Sequence, residues 1–180
     1  MKHSELEEST RQALPQGNQS KPAMQKAHKK PADAIALLKA DHKEVSGLLK
    51  QYESADGNDE KEVLARQICE ALTVHAQVEE EIFYPAVRKV LDEDDQDLLD
   101  EADVEHGSIK QLVADVERAS PADDDHYDAK VTVIGEYVKH HVREEEKELF
   151  PKVQRTGLDT KAIDEQLAAR KAALMARLDG

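Results

Sequence analysis

The chain is poor in everything that staples, spans or stacks. One cysteine, Cys69, stands among 180 residues, which excludes an intrachain disulfide framework and fits a reducing compartment. Tryptophan is absent, and four tyrosines and two phenylalanines are the only aromatics. No run of about 18 apolar residues occurs, and the N-terminus has no apolar signal core, so a soluble cytoplasmic protein is expected. Basic residues are scarce beside acidic ones, 25 against 39, for a formal charge of −14. That balance argues against nucleic acid and against anionic membranes as partners, since both need a basic surface. Strand signals are missing as well: there is no sustained alternation and no hairpin dipeptide between β-branched runs. Neither a Gly-rich phosphate loop nor a nucleophile elbow appears.

What is present is helical periodicity. Residues 1–32 are polar, contain Pro15, Gly17, Pro22 and Pro31, and have the composition of a flexible tail. Its Lys26, Lys29 and Lys30 suit an acidic partner, although solubility alone accounts for them. From Asp33, a candidate cap, Ile35, Leu38, His42, Val45 and Leu49 recur at spacings of three and four, the stripe of a first helix. "SADGND" interrupts it. A second helix is predicted from about Asp59 to Val90, and a third from about Asp95 to Ala119. Ser120 with Pro121 reads as a cap and first-turn proline opening a fourth helix that reaches about Gln154. The acidic runs at 92–95 and 123–125 read as solvated, helix-starting loops. Past Gly157, Thr160 to Leu178 is amphipathic through Ile163, Leu167, Leu174 and Leu178, a last helix outside the core. The prediction is all-α: an antiparallel up-down four-helix bundle over 33–157, with a C-terminal helix over 158–180.

The chain also repeats itself. "HAQVEEEIFYP" ends at Pro85 and "HVREEEKELFP" at Pro151, while "DHKEVSGLL" around His42 matches "EHGSIKQLV" around His106. The bundle is therefore written as two copies of one helix pair, each reading His, then His-x-x-x-Glu. A residue four further along a helix is rotated only about 40° from its starting direction. Glu79 thus shares the apolar face of His75, and Glu145 that of His141, while Glu80 and Glu146 are expected to face water or a helix flank. His140, with Glu144 four beyond it, is the rival of His141; Ile134, Val138 and Leu149 favour His141. His42, His75, His106 and His141 lie near mid-helix, so the six groups are expected to meet at one level.

A histidine on an apolar stripe is ordinarily a hydrogen-bonded core residue, but two buried glutamates without compensation cost several kcal/mol. Cations supply that compensation. Six ligands on four helices suit two ions, and a lone cysteine argues against a structural zinc. Imidazole with carboxylate favours iron, with a mixed or manganese centre as the alternative.

With its acid before each first histidine and its aromatic before each proline, this pattern resembles the hemerythrin-like family, the HHE cation-binding domains, over about residues 33 to 155. The resemblance implies a non-haem di-iron centre, oxo- or hydroxo-bridged, that binds O2, peroxide or NO. By matching positions it implies His42, His75, His106 and His141 as terminal ligands and Glu79 and Glu145 as bridges. Oxygen-carrying hemerythrins place a second histidine where Lys110 stands and end with His-x-x-x-x-Asp, a departure that argues against reversible O2 storage. Relatives with this ligand set are associated with sensing, iron handling, or peroxide and NO defence. A non-catalytic sensing or iron-handling module, acting on a protein partner through the tail or the last helix, is the alternative to oxidant chemistry. Tyr52, Tyr84 and Tyr137 are read as core packing before proton donors, and Cys69 as a core thiol. Gly107 and Gly135, inside helices, suggest close helix approach or mere drift. His3, His28 and His126 lie in polar surroundings and are not expected to be ligands.

Overall fold

A computed structural model describes residues 33–178; the expected N-terminal tail, the Lys26, Lys29 and Lys30 cluster, His3 and His28 lie outside them. Helix α1 spans Ala34–Ser54, and its first turn is closed by Asp33, whose Oδ1 accepts the Ala36 N–H at 3.0 Å. Helix α2 (Asn58–Val78) returns alongside it. The second pair is α4 (Asp97–Glu117) with α5 (Tyr127–Glu144), and α2 packs on α4 as α1 packs on α5. Helix α7 (Thr160–Leu178) lies outside, against α1 and α2, where Ile163, Leu167 and Leu174 bury their side chains. Among the described residues there is no strand, and no helix is long and apolar enough to cross a membrane.

Two predicted helices are not continuous α-helix. Alpha geometry gives way at Glu79–Phe83 and again at Glu145–Leu149 to a wider π-helical turn, followed by the short helices α3 (Tyr84–Val87) and α6 (Phe150–Thr156). The cause is in the repeated phrase. Pro85 and Pro151 cannot donate a helical hydrogen bond, and each ring crowds the carbonyl four residues back. A π turn before the proline relieves that crowding, and such turns are frequent at functional sites. Each one begins at a glutamate of the predicted ligand set. Past α6, Gly157 takes a left-handed φ of 75° and stops the chain before α7.

The fourth helix also starts later than predicted. Ser120 and Pro121 lie in turns: the Ser120 hydroxyl donates to Asp123, the Asp124 side chain accepts the His126 N–H, and α5 opens only at Tyr127. Asp123 and Asp124 stabilise this turn instead of a helix start.

The core comes in two parts. One end holds Leu38, Phe83, Val87, Leu99, Phe150 and Leu167, and the other Val45, Ile68, Leu72, Ile109, Val113 and Ile134. Burial of each such side chain contributes about 1.5–3 kcal/mol. The four histidines fall between the two parts along every helix. Close helix approach requires neither glycine: at Gly135 a Cβ would meet the Leu49 side chain at 3.4 Å, an ordinary contact, and Gly107 has open space around it. Gly107→Ala is therefore expected to stabilise the fold by about 0.5–1 kcal/mol in urea denaturation, the ordinary helix-interior gain.

Candidate metal centre

The structure brings all six predicted residues together. His42, His75, His106, His141, Glu79 and Glu145 are each at most 5% exposed. His75 and His141 end α-helical segments, and each glutamate four residues on starts a π turn, so both glutamates project into the bundle axis. His42 Nε2 lies 3.1 Å from Glu145 Oε2, and His75 Nε2 lies 3.2 Å from Glu79 Oε2. From the other hairpin, His106 Nε2 approaches Glu79 at 3.4 Å and His141 Nε2 approaches Glu145 at 3.6 Å. These groups form two potential cation positions that share Glu79: His42, His75, Glu79 and Glu145 form one, and Glu79, His106 and His141 the other.

The outer nitrogens explain the repeat's flanking acids. His42 Nδ1 is 2.9 Å from Glu146, His106 Nδ1 is 3.0 Å from Glu80, and His141 Nδ1 is 2.8 Å from Glu105. Asp41 stands toward His75 Nδ1 at 3.7 Å, beyond hydrogen-bond length. The acid preceding each first histidine thus lies toward the second histidine of its own hairpin, in hydrogen-bond contact only for Glu105 and His141. The glutamate following each central glutamate instead serves the opposite hairpin. Glu80 and Glu146 accordingly lie on the helix flank, half-buried, each supporting a histidine ring. A carboxylate on Nδ1–H fixes the ring and leaves the Nε2 lone pair facing inward. Lys110, standing where oxygen carriers have a further histidine, donates to both oxygens of Glu80 and holds that support in place.

Tyr84, expected to pack in the core, belongs to the site. Its hydroxyl donates to Glu145 Oε1 at 2.9 Å and lies 3.4 Å from Glu79 Oε2 and 3.5 Å from His106 Nε2. Phe150 holds the equivalent place in the second copy and stacks on His42. The π turns swing these residues inward, which a uniform helical wheel could not reveal. Tyr52 instead donates to Asp128 across the bundle, and Tyr137 is exposed. Cys69 is buried, its thiol pushed up to about 12 by burial and nearby acids, as an inert core thiol should be.

The electrostatics suit a cation. Burial drives His75 down to about 4, and burial with Glu145 repulsion holds Glu79 well above the usual carboxylate range. Burial opposes the charge on His42 too, but Glu145 outweighs it and lifts His42 to about 9. Burial likewise works against Glu145, yet His42 and His141 bring it down to about 2. His42 Nε2 and Glu145 Oε2 face each other at 3.1 Å, and His75 Nε2 faces Glu79 Oε2 at 3.2 Å, without hydrogen-bond alignment, and Glu79 Oε1 is buried with no partner either. Orphaned buried polar atoms of this kind ordinarily call for an ion or water, and these carry donors that cations use.

A helical bundle whose interior presents paired imidazoles and carboxylates is a cation-binding module. The hemerythrin HHE cation binding domain matches residues 33–153, and the chain belongs to that family. It is also 30% identical over 148 residues to a protein named DNA nickase from Nostoc sp. (strain PCC 7120 / SAG 25.82 / UTEX 2576). That alignment covers 80% of this chain and 40% of the relative's length. No solved structure matches the chain.

Removing the supports makes a graded prediction. Glu80→Gln or Glu146→Gln is expected to weaken metal retention about 10–100-fold, as outer carboxylates of metal-bound histidines do. Competition with a chelator measures it.

Proposed function

We propose that the protein is a non-haem di-iron protein that binds or reduces a small oxidant: O2, peroxide or NO. His42, His75, His106 and His141 would hold the metals as terminal ligands, with Glu79 shared by the two positions and Glu145 completing the first. The observation that carries this reading is a cavity of about 20 Å³ at the histidine side of the centre, walled by Val45, Leu72, Ile109 and Val138. One water needs roughly 10–15 Å³, so that space is of the size of a diatomic molecule or peroxide. Apolar side chains make up most of its wall, and the Tyr84 hydroxyl, already donating to Glu145, is placed to steady that carboxylate or release a proton. Bound there, a pair of iron ions supplies the one or two electrons that reduction of such an oxidant requires. Absorption spectra of the air-exposed and the reduced protein test the reading. Bands of a bridged ferric pair that bleach on reduction and return with O2, peroxide or NO support it; a colourless, metal-free protein contradicts it.

A specific contact favours a second reading, a sensing or iron-handling module. Lys171 of α7 donates to Asp41 Oδ1 at 2.6 Å, and Asp41 is the acid beside His75. Metal occupancy could then be felt at α7 and passed to a protein partner. Lys171→Met separates the two: loss of a partner with unchanged oxidant turnover favours the module. The name of the Nostoc relative raises DNA nicking. A chain of charge −14 with its candidate ligands buried offers a phosphodiester no approach, and intact supercoiled plasmid after incubation with the iron-loaded protein is the expected result.

A further inference from the structure

His140, the neighbour of His141, joins a second cluster on the bundle surface. Its Nε2 lies 3.2 Å from Glu105 Oε1 and 3.1 Å from Glu144 Oε1. Ligand atoms of these three residues all lie within 4.8 Å of one another. The twofold repeat gives the comparison. His140 and Glu144 correspond to Val74 and Val78 of the first copy, both buried, and Glu105 corresponds to Asp41, which Lys171 of α7 engages. In one copy, then, the flank is apolar and α7 packs on its helices. In the other it is open and carries the His-x-x-x-Glu phrase once more, one residue out of step with the buried one.

An open flank needs polar residues, but it does not need three ligating groups converging from two helices. The cleft around them, about 560 Å³, is further lined by Asp97, Asp100 and Glu101 and by no lysine or arginine, which concentrates cations locally. Arg88 pairs with Asp100, and Arg143 meets His140 at Nδ1, 3.5 Å away and at the limit of a hydrogen bond. Pairing between exposed side chains contributes little to stability, so ion pairing alone gives a weak reason for the arrangement.

We propose that His140, Glu144 and Glu105 form a surface site for a first-row divalent transition cation, distinct from the buried centre and linked to it through Glu105. One imidazole with two carboxylates suits Zn2+, Mn2+ or Fe2+, with water filling the remaining positions. Glu105 divides its oxygens: Oε1 faces His140, and Oε2 holds His141 Nδ1 at 2.8 Å. A cation on the outer oxygen withdraws charge from the inner hydrogen bond, so occupancy of the surface site and the affinity of the buried one are coupled, and the coupling is reciprocal.

The site itself does not depend on which metal occupies the bundle interior, although the coupling rests on the di-metal reading above. The test uses full-length protein exposed to iron, then dialysed against Zn2+, with both metals counted per chain. Wild type is expected to retain one more Zn2+ than His140→Ala or Glu144→Gln, with equal iron in all three. Equal zinc in wild type and both variants overturns the proposal, and shows an ion pair only. Absence of iron from every sample, with the zinc difference intact, instead defeats the buried-centre reading and leaves the surface site standing. For the coupling, Zn2+ should shift the iron absorption bands of wild type and not of His140→Ala; bands unmoved in both overturn it.

Discussion

Removing the metal from the purified protein is expected to lower its stability by about 4 kcal/mol for each cation held at a thousandfold excess over its dissociation constant. For a chain of 180 residues, at about 2–4 °C per kcal/mol, the melting point falls by roughly 8–16 °C per site. The size of the effect follows from what is left behind. Without cations, four imidazoles and two carboxylates stay sealed between two apolar clusters, and several of their polar atoms have no hydrogen-bond partner. Calorimetry before and after chelation checks it, with metal content measured on the same samples. An unmoved transition would mean that the buried layer is satisfied by the protein alone.

Glu79→Gln is expected to act in opposite directions in the two states. The amide cannot supply the negative charge that both cation positions share, so the variant loses metal and with it the full metal-dependent stabilisation. In the metal-free protein the same change is expected to stabilise, by about 1–3 kcal/mol, because it removes a poorly satisfied buried acid. The pH dependence has a definite sign. The folded protein holds the Glu79 carboxyl above its ordinary value of 4.5, so the wild-type fold weakens as pH rises from about that value toward the folded one. The advantage of Gln over Glu is therefore absent near pH 4 and present at pH 7. Urea denaturation of both metal-free proteins at the two values measures it; a larger advantage at pH 4 would mean that Glu79 is favoured in its charged form.

Much of the centre was legible because its spacing is helical. His75 with Glu79, and His141 with Glu145, are four residues apart, and four residues in an α-helix return to one face. The duplication supplied the rest of the set, since His42 and His106 sit in matching phrases. The α-helical rule stops at the glutamates, where each π turn begins. That is why α-helical spacing alone assigns Tyr84 to packing and gives Glu80 and Glu146 no partner. The signal was nonetheless present: a proline five residues past Glu80 and five past Glu146 disfavours regular helix there. The late start of α5 was hidden differently. Ser-Pro is a good helix opening, and only the acids at 123 and 124, which accept turn hydrogen bonds, show that a turn prevails.

Diffraction from crystals of the iron-loaded protein, with anomalous differences collected at the iron edge, tests the central assignment most directly. Two peaks are predicted inside the bundle: one among His42, His75, Glu79 and Glu145, the other among Glu79, His106 and His141. An interior without anomalous density, or density confined to groups outside these six, would contradict it.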